Sequence, residues 1–437
     1  MAGTLERFRH HAPLWVVLGC LASFLVTFNA PVKYTSSDSR FSLLTSLALL
    51  EGKGVRLDDY FHPEAVDTYY QIRRENGHLY NYNALGTSIV AAPFVALANL
   101  RGDSVRYEEM DRSLQTTLAA LCVTATFLLL YLIGRAFVDV GDSLLIASAF
   151  TFGSQVMSTM GSALWNFDCE VVVLLGALLL VLRTTTWPAR RAAALGALLL
   201  LAYLCRPTAS IATVALLAAV FRRDRRAAII GAAVFGIGLA VFMAWSLREY
   251  HMLLPWYYAG GRLALGHIGT AVYGNLASPA RGLLVYCPYL LVVVVALAWT
   301  ARTWRTSAPA WLALGWATTL FLAVSSSSAQ WWGGFGFGPR LLTDIVPPLA
   351  LLTAGAFAAM RQQLAASLVR RVATVFGVLM AVAILFHTYQ GLYNGSTVKW
   401  NESPNIDQHP EYLFDWRHPQ FLASPDMLEA REQARPR

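Results

Sequence analysis

Long apolar runs recur from one end of this chain to the other, every second connection between them short and charged mostly with arginine, and this alternation limits the available folds more than any other feature. The runs fall at about 13–30, 113–134, 143–158, 167–183, 192–205, 208–221, 227–246, 282–300, 309–325, 343–360 and 372–388. Hydrophobic residues make up 56% of the 437 residues and charged residues 14%, against about 25% charged in a soluble domain. No water-soluble core can enclose that much apolar side chain, so lipid must solvate part of it. Within lipid the backbone satisfies its own hydrogen bonds, which apolar runs do as helices. The expected fold is an all-α polytopic membrane protein, a bundle of about eleven transmembrane helices.

Charge sets the expected orientation. Arg222, Arg223, Arg225 and Arg226 belong inside by the positive-inside rule. Alternation then places Arg135, Arg183, Arg190, Arg191, Arg302, Arg305, Arg361, Arg370 and Arg371 inside as well. Arg7 and Arg9 join them, with a cytoplasmic N-terminus, only if the apolar stretch 84–100 does not cross. That stretch, with Pro93 in its middle, reads as a broken helix in the outer interface. The first run reads as a retained span and not as a cleaved signal. The chain then divides into a transmembrane module, 1–388, and an outer tail, 389–437. The first outer loop, 31–112, carries interfacial helices. The net charge of +8 resides in topological arginines that form no single basic face, and this argues against nucleic acid as a partner. Cys20, Cys122, Cys169, Cys205 and Cys287 lie in or beside apolar runs with no CxxC pair, and read as small buried hydrophobes.

The residues able to do chemistry gather in the outer segments. Asp38 and Ser39 precede an amphipathic helix over 41–50, and either could cap it. Asp38 reads equally as a general base at the interface, where partial dehydration strengthens a carboxylate base. Arg40 and Tyr82 lie in the same loop as candidate substrate contacts. Asp168 and Glu170 open the run at 167; two residues apart on a helix, they should face different ways, one toward the bundle and one toward water. Arg206 is either a snorkelling arginine or a bidentate phosphate ligand. The segment Gln330 to Arg340 holds four glycines, Trp331, Trp332 and Arg340. Its tryptophans suit an interfacial belt or a surface on which sugars stack, and Arg340 suits a phosphate.

Taken together, SSDSR at 36–40, NALGTSIVAAP at 83–93, CRPTA at 205–209, SPARGLLVYCP at 278–288 and WWGGFGFGPRLL at 331–342 resemble, in order and spacing, the GT-C class of membrane glycosyltransferases. The likeness is strongest to bacterial relatives of protein O-mannosyltransferases and of lipid A aminoarabinose transferases, and covers roughly 30–420. It implies a GT-C-like bundle in the bacterial inner membrane, with its active site on the outer face. It further implies a sugar donor on polyprenyl phosphate and an acceptor that is lipid, glycan or protein, with inversion at the sugar carbon. On the matching positions Asp38 is the catalytic base and Asp168 a second acid. Arg206 and Arg340 are candidates to hold the donor phosphate; Arg40, Tyr82, Glu170, Trp331 and Trp332, read from the residues themselves, are candidate substrate-binding positions. The family's first loop often reads Asp-Glu where this chain has Asp38-Ser39, so no metal ligand carries over and a divalent metal stays open.

Two other readings compete. A flippase for polyprenyl-linked sugars would need polar groups through mid-membrane, which are scarce. An O-antigen ligase or polymerase would gather arginine and histidine in one long outer loop, as His251, Arg262 and His267 do at 247–281.

Overall fold

The computed structural model of the chain describes residues 12–61, 68–259, 265–301, 308–327 and 330–433. Arg7, Arg9, Arg262, Arg302 and Arg305 lie outside these. The apolar runs are helical: α1 (Ala12–Phe28), α2 (Ser42–Leu50), α3 (Leu85–Leu100), α4 (Glu108–Gly134), α5 (Val140–Phe152), α6 (Asn166–Arg183), α7 (Ala189–Cys205), α8 (Ala209–Phe221), α9 (Arg225–Tyr250), α10 (Ile268–Ala277), α11 (Tyr289–Trp299), α12 (Ala308–Ser326), α13 (Val346–Gln363) and α14 (Ala366–Ile384). Polar residues fix several starts. Asp139 accepts the Asp142 N–H at 3.0 Å and Asp224 the Ala227 N–H at 2.9 Å, capping α5 and α9. Glu108, Glu109 and Asp111 occupy the first turn of α4, at its positive dipole end. Pro347 and Pro348 open α13, where no N–H partner is required.

Five stretches among the described residues are long and apolar enough to cross a bilayer: Glu108–Gly134, Arg225–Tyr250, Pro309–Ser326, Arg340–Gln363 and Ala366–Gln390. Five shorter apolar helices, α1, α3, α5, α8 and α11, stand beside them. The chain is a multi-pass membrane protein. α9 turns Ile229, Ile237 and Val241 outward, while Arg340–Gln363 is the most enclosed of the five. Around it Phe127, Phe150, Leu174, Leu178, Phe357, Met360 and Phe376 form the main core.

The bundle has two chemically different ends. At one, Arg183 donates to the Leu132 carbonyl at 3.1 Å and Arg223 to the Val181 carbonyl at 2.9 Å, and Arg361 pairs with Asp139 at 3.3 Å and with Asp142. At the other lie the starts of α4, α6 and α13 and the ends of α7 and α9, together with the first loop.

The structure departs from the sequence reading at several points. α3 runs unbroken through Pro93, held by packing against α2 and α7, so the proline does not break the segment. α2 is not amphipathic: Ser42 to Ala48 are all buried. Neither Asp38 nor Ser39 caps α2, because Phe41 holds the cap position in a left-handed conformation, φ 69°, without a side-chain hydrogen bond. The run at 282–300 is two helices, Leu283–Tyr286 and α11, parted at Pro288, and the run at 143–158 divides at Gly153. The all-α expectation misses an antiparallel hairpin in the first loop, β1 (Ile72–Glu75) with β2 (His78–Asn81), pairing Ile72 with Asn81 and Glu75 with His78. Its turn is Asn76-Gly77 with φ of 49° and 82°, the two positive angles that a tight hairpin turn matches to strand twist. The hairpin ties the loop to the end of α9, where the Tyr80 hydroxyl lies 3.2 Å from Glu249 Oε1 and Arg56 pairs with the same oxygen at 2.6 Å.

Candidate active site

Asp38 sits on a loop fixed from several directions. The Tyr34 N–H donates to the Ser162 carbonyl at 2.9 Å, and Gln115 Nε2 to the Thr35 carbonyl at 3.3 Å. Gln71 Nε2 donates to the Ser36 and Ser37 carbonyls at 3.2 and 3.0 Å, and Asn83 Nδ2 to the Asp38 carbonyl at 2.6 Å. The Tyr-Asn-Tyr-Asn segment therefore serves the site by holding its backbone. Asp38 keeps a side chain 37% exposed. Its Oδ1 accepts the Tyr70 hydroxyl at 2.8 Å, and its Oδ2 faces Arg340 Nη2 at 3.3 Å.

Arg340 arrives from the glycine-rich segment, 302 residues further along. Two glycines make its approach feasible. Gly338 has φ +59°, and a Cβ there would lie 2.9 Å from the Tyr286 ring. A Cβ at Gly336 would lie 2.9 Å from Arg340 Cδ itself. The guanidinium rests 4.6 Å from the Trp165 ring centroid, and its Nε has no partner. Trp165 is locked in turn: its Nε1 donates to Ser162 Oγ at 3.1 Å, and its backbone N–H to Asp168 Oδ2 at 3.0 Å. Nearby, burial pushes the Tyr34 phenol up to about 12, against the charges of Arg281 and Arg340.

Arg206 occupies the break between α7 and α8. Its guanidinium stacks 3.8 Å from the Phe167 centroid. Its Nε lies 3.4 Å from Glu170 Oε2 and 3.5 Å from Asp344 Oδ2. Thr208 Oγ1 links the acids, donating to Asp344 Oδ2 at 2.8 Å and lying 3.4 Å from Glu170 Oε1. Both carboxylates are fully enclosed, while Arg206 is 13% and Arg340 12% exposed. The Nη groups of Arg206 make no hydrogen bond among the described residues. The charge of Asp38 reaches Arg206 and Tyr257 as a minor influence. The structure thus brings Asp38 and Arg340 together, with Asp168 behind Trp165, and gathers Arg206 with Glu170 and Asp344.

Other candidates fall elsewhere. Asp168 and Glu170 are both fully buried, so neither faces water: α6 starts beneath the first loop and is covered on all sides. Asp168 closes the first turn of α6 and reaches the site only through Trp165. Arg40 stacks on Tyr69 at 4.7 Å, away from the Asp38 carboxylate and within an aromatic group with Phe41 and Phe61. Tyr82 packs between Arg73, at 5.1 Å, and Tyr257, at 6.3 Å, at the border of the site. Trp331 and Trp332 are 3% and 7% exposed, filled in by Trp400, Ile406 and Leu413 of the tail. Trp332 Nε1 donates to Asp407 Oδ1 at 2.7 Å. As placed they are packing residues and offer a sugar no open face. His251 is an exposed cap at the end of α9, and Arg262 lies outside the described residues.

Sequence reasoning missed Tyr70, Trp165, Thr208 and Asp344. Asp344 carried a usable signal, an acid inside the apolar stretch LLTDIVPP, which is costly in lipid unless paired. Among the described residues no three His, Cys, Asp or Glu side chains gather as a metal-binding group. Chemically, the arrangement offers one reachable carboxylate beside the Arg340 guanidinium, and a second guanidinium, Arg206, held by Glu170 and Asp344 with its terminal nitrogens unused.

No protein-family model and no curated protein matches the chain. Solved structures do. The oligosaccharyltransferase of Archaeoglobus fulgidus, tethered with an acceptor peptide containing the NVT sequon via a disulfide bond, superposes with a TM-score of 0.56 at 14% identity, over 94% of this chain and 60% of that one. The apo form of that enzyme gives 0.50 at 13% identity, over 92% and 60%. The fold is of the GT-C class. The chain spans about 60% of the length of the oligosaccharyltransferase it matches.

Proposed function

We propose that this GT-C-fold protein is an inverting membrane glycosyltransferase that moves a sugar from a polyprenyl-phosphate donor to an acceptor on the outer face of the membrane. The observation that carries the reading is the meeting of Asp38 with Arg340 at 3.3 Å; an Arg206 whose terminal nitrogens make no hydrogen bond among the described residues supports it. A lipid-linked sugar phosphate is an anionic leaving group that stays at the membrane. Its phosphate takes the free edges of Arg340 and Arg206. The acceptor oxygen or nitrogen attacks the sugar carbon from the face opposite the phosphate, and Asp38 removes its proton. The bond from sugar carbon to phosphate oxygen breaks with its electron pair going to the phosphate, where the guanidiniums stabilise the charge. One displacement gives inversion and needs no covalent carboxylate intermediate.

The orientation follows the same reasoning. The end holding Arg183, Arg223 and Arg361 is cytoplasmic by the positive-inside rule, and about eleven crossings then put the mouth outside. The tail, pinned beneath Trp331 and Trp332, belongs to that outer face.

The test is reconstitution in liposomes with a radiolabelled polyprenyl-phosphate sugar. Wild-type protein should form a new glycosidic bond. Asp38→Asn should lower transfer by roughly 10²–10⁴-fold while the melting temperature holds. Movement of labelled lipid across the bilayer without a new bond would instead indicate a flippase, and wild-type turnover by Asp38→Asn would remove Asp38 as the base.

A further inference from the structure

Both oxygens of Asp38 are occupied, by groups of different kind. Oδ2 faces the Arg340 cation at 3.3 Å, and Oδ1 accepts the neutral Tyr70 hydroxyl at 2.8 Å. A carboxylate held this way cannot rotate freely; each oxygen keeps a second lone pair, and Oδ2 becomes the stronger base once the Arg340 cation beside it turns away. Arg340 is the one with another place to go, because its side chain is 12% exposed and its guanidinium makes one hydrogen bond among the described residues. Tyr70 has no comparable alternative: its hydroxyl contacts Asp38 and, at 3.4 Å, Ser37 Oγ. The next residue, Gln71, straps the same loop through two carbonyls. The Tyr70 ring is nevertheless 63% exposed, so it is not a core residue that happens to touch the loop.

We infer that Tyr70 is a positioning residue of the catalytic centre, holding Oδ1 of Asp38 so that Oδ2, vacated when Arg340 turns to the donor phosphate, points at the acceptor. The inference rests on the glycosyl-transfer reading and adds to it a residue on the first loop. Tyr70 acts through Asp38 and leaves the sugar and phosphate to other groups. Among the described residues Tyr70 and Arg340 touch the Asp38 carboxylate, and its charge also reaches Arg206 and Tyr257.

The experiment compares wild type, Tyr70→Phe, Asp38→Asn and the double variant, full length and purified, with a polyprenyl-phosphate-linked sugar. Sugar release to water is read alongside transfer, so that no acceptor need be known. Loss of one hydrogen bond to a charged acceptor should lower kcat of Tyr70→Phe by about tenfold, with the donor KM within about twofold, since the phosphate site is intact. The double variant should be no slower than Asp38→Asn alone, because Tyr70 then has no carboxylate to hold. Full kcat in Tyr70→Phe would overturn the inference, as would a raised donor KM. So would a further loss in the double variant, because a merely structural role adds to the defect. These outcomes leave glycosyl transfer standing; a wild type that neither transfers nor releases sugar removes that reading and this one together.

Discussion

Two arginines from neighbouring glycine-bearing segments occupy opposite situations. Arg281 is 1% exposed and spends every donor: Nε on the Trp332 carbonyl at 3.0 Å, Nη1 on Ala280 O and Gln420 Oε1 at 2.9 and 2.6 Å, Nη2 on Gly334 O and Asn401 Oδ1 at 3.1 and 2.9 Å. All five acceptors are neutral. Arg340 has a single contact, to a carboxylate, with an aromatic ring beneath it and an idle Nε. A saturated guanidinium is a structural tie joining the span start, the glycine segment and the tail. An unsaturated one at an opening is a binding group in waiting. In lipid-facing proteins both kinds are equally unusual in sequence, and the difference lies in how many donors remain.

If that contrast is right, the two residues fail differently. Arg281→Ala should cost the most, at about 1–3 kcal/mol of stability for each buried acceptor it leaves unpaired; thermal unfolding in detergent should show it, and the surviving folded fraction should keep normal specific activity. Arg340→Ala should leave unfolding unchanged and lower kcat/KM for the donor by about 10²–10³-fold; a melting loss as large as that of Arg281→Ala would erase the distinction. A subtler effect concerns competition for Arg340. Asp38→Asn should tighten binding of polyprenyl monophosphate by about tenfold, since a partly exposed ion pair no longer has to open. In an Arg340→Ala background that gain should vanish. An equal gain in both backgrounds would mean simple charge repulsion by Asp38. The smallest effect belongs to the tie's periphery: Trp332→Phe removes the bond to Asp407 and should cost about 1 kcal/mol with donor KM unchanged. A change in sugar affinity there would restore Trp332 as a stacking surface.

How much of this was readable beforehand depended on whether the signal was local. Membrane character and helix positions follow from apolar periodicity. Asp38, Arg206 and Arg340 stand out because a charge beside an apolar run needs a reason, and in the structure Asp38 and Arg340 meet while Arg206 joins Glu170 and Asp344. The same rule applied to the stretch 341–348 would have found Asp344. Tyr70 could not be found this way, since a tyrosine in a polar loop carries no anomaly; its role depends on a 2.8 Å contact across 32 residues. Trp331 and Trp332 misled for the converse reason. Tryptophans beside glycines suit a sugar platform in sequence, but the tail that covers them begins some sixty residues later, and burial by a distant segment leaves no local trace. The Asn76-Gly77 hairpin was legible and was missed among helical signals.

The contact between Asp38 and Arg340 also bears on biogenesis. The first loop emerges early in synthesis, yet its acidic residue meets its cation only after most of the bundle has been inserted. Until residue 340 leaves the translocon, Asp38 has no Arg340 beside it. The pair is therefore among the last features of the first loop to form, and a ribosome that stalls before that point releases a membrane-inserted chain in which it cannot form.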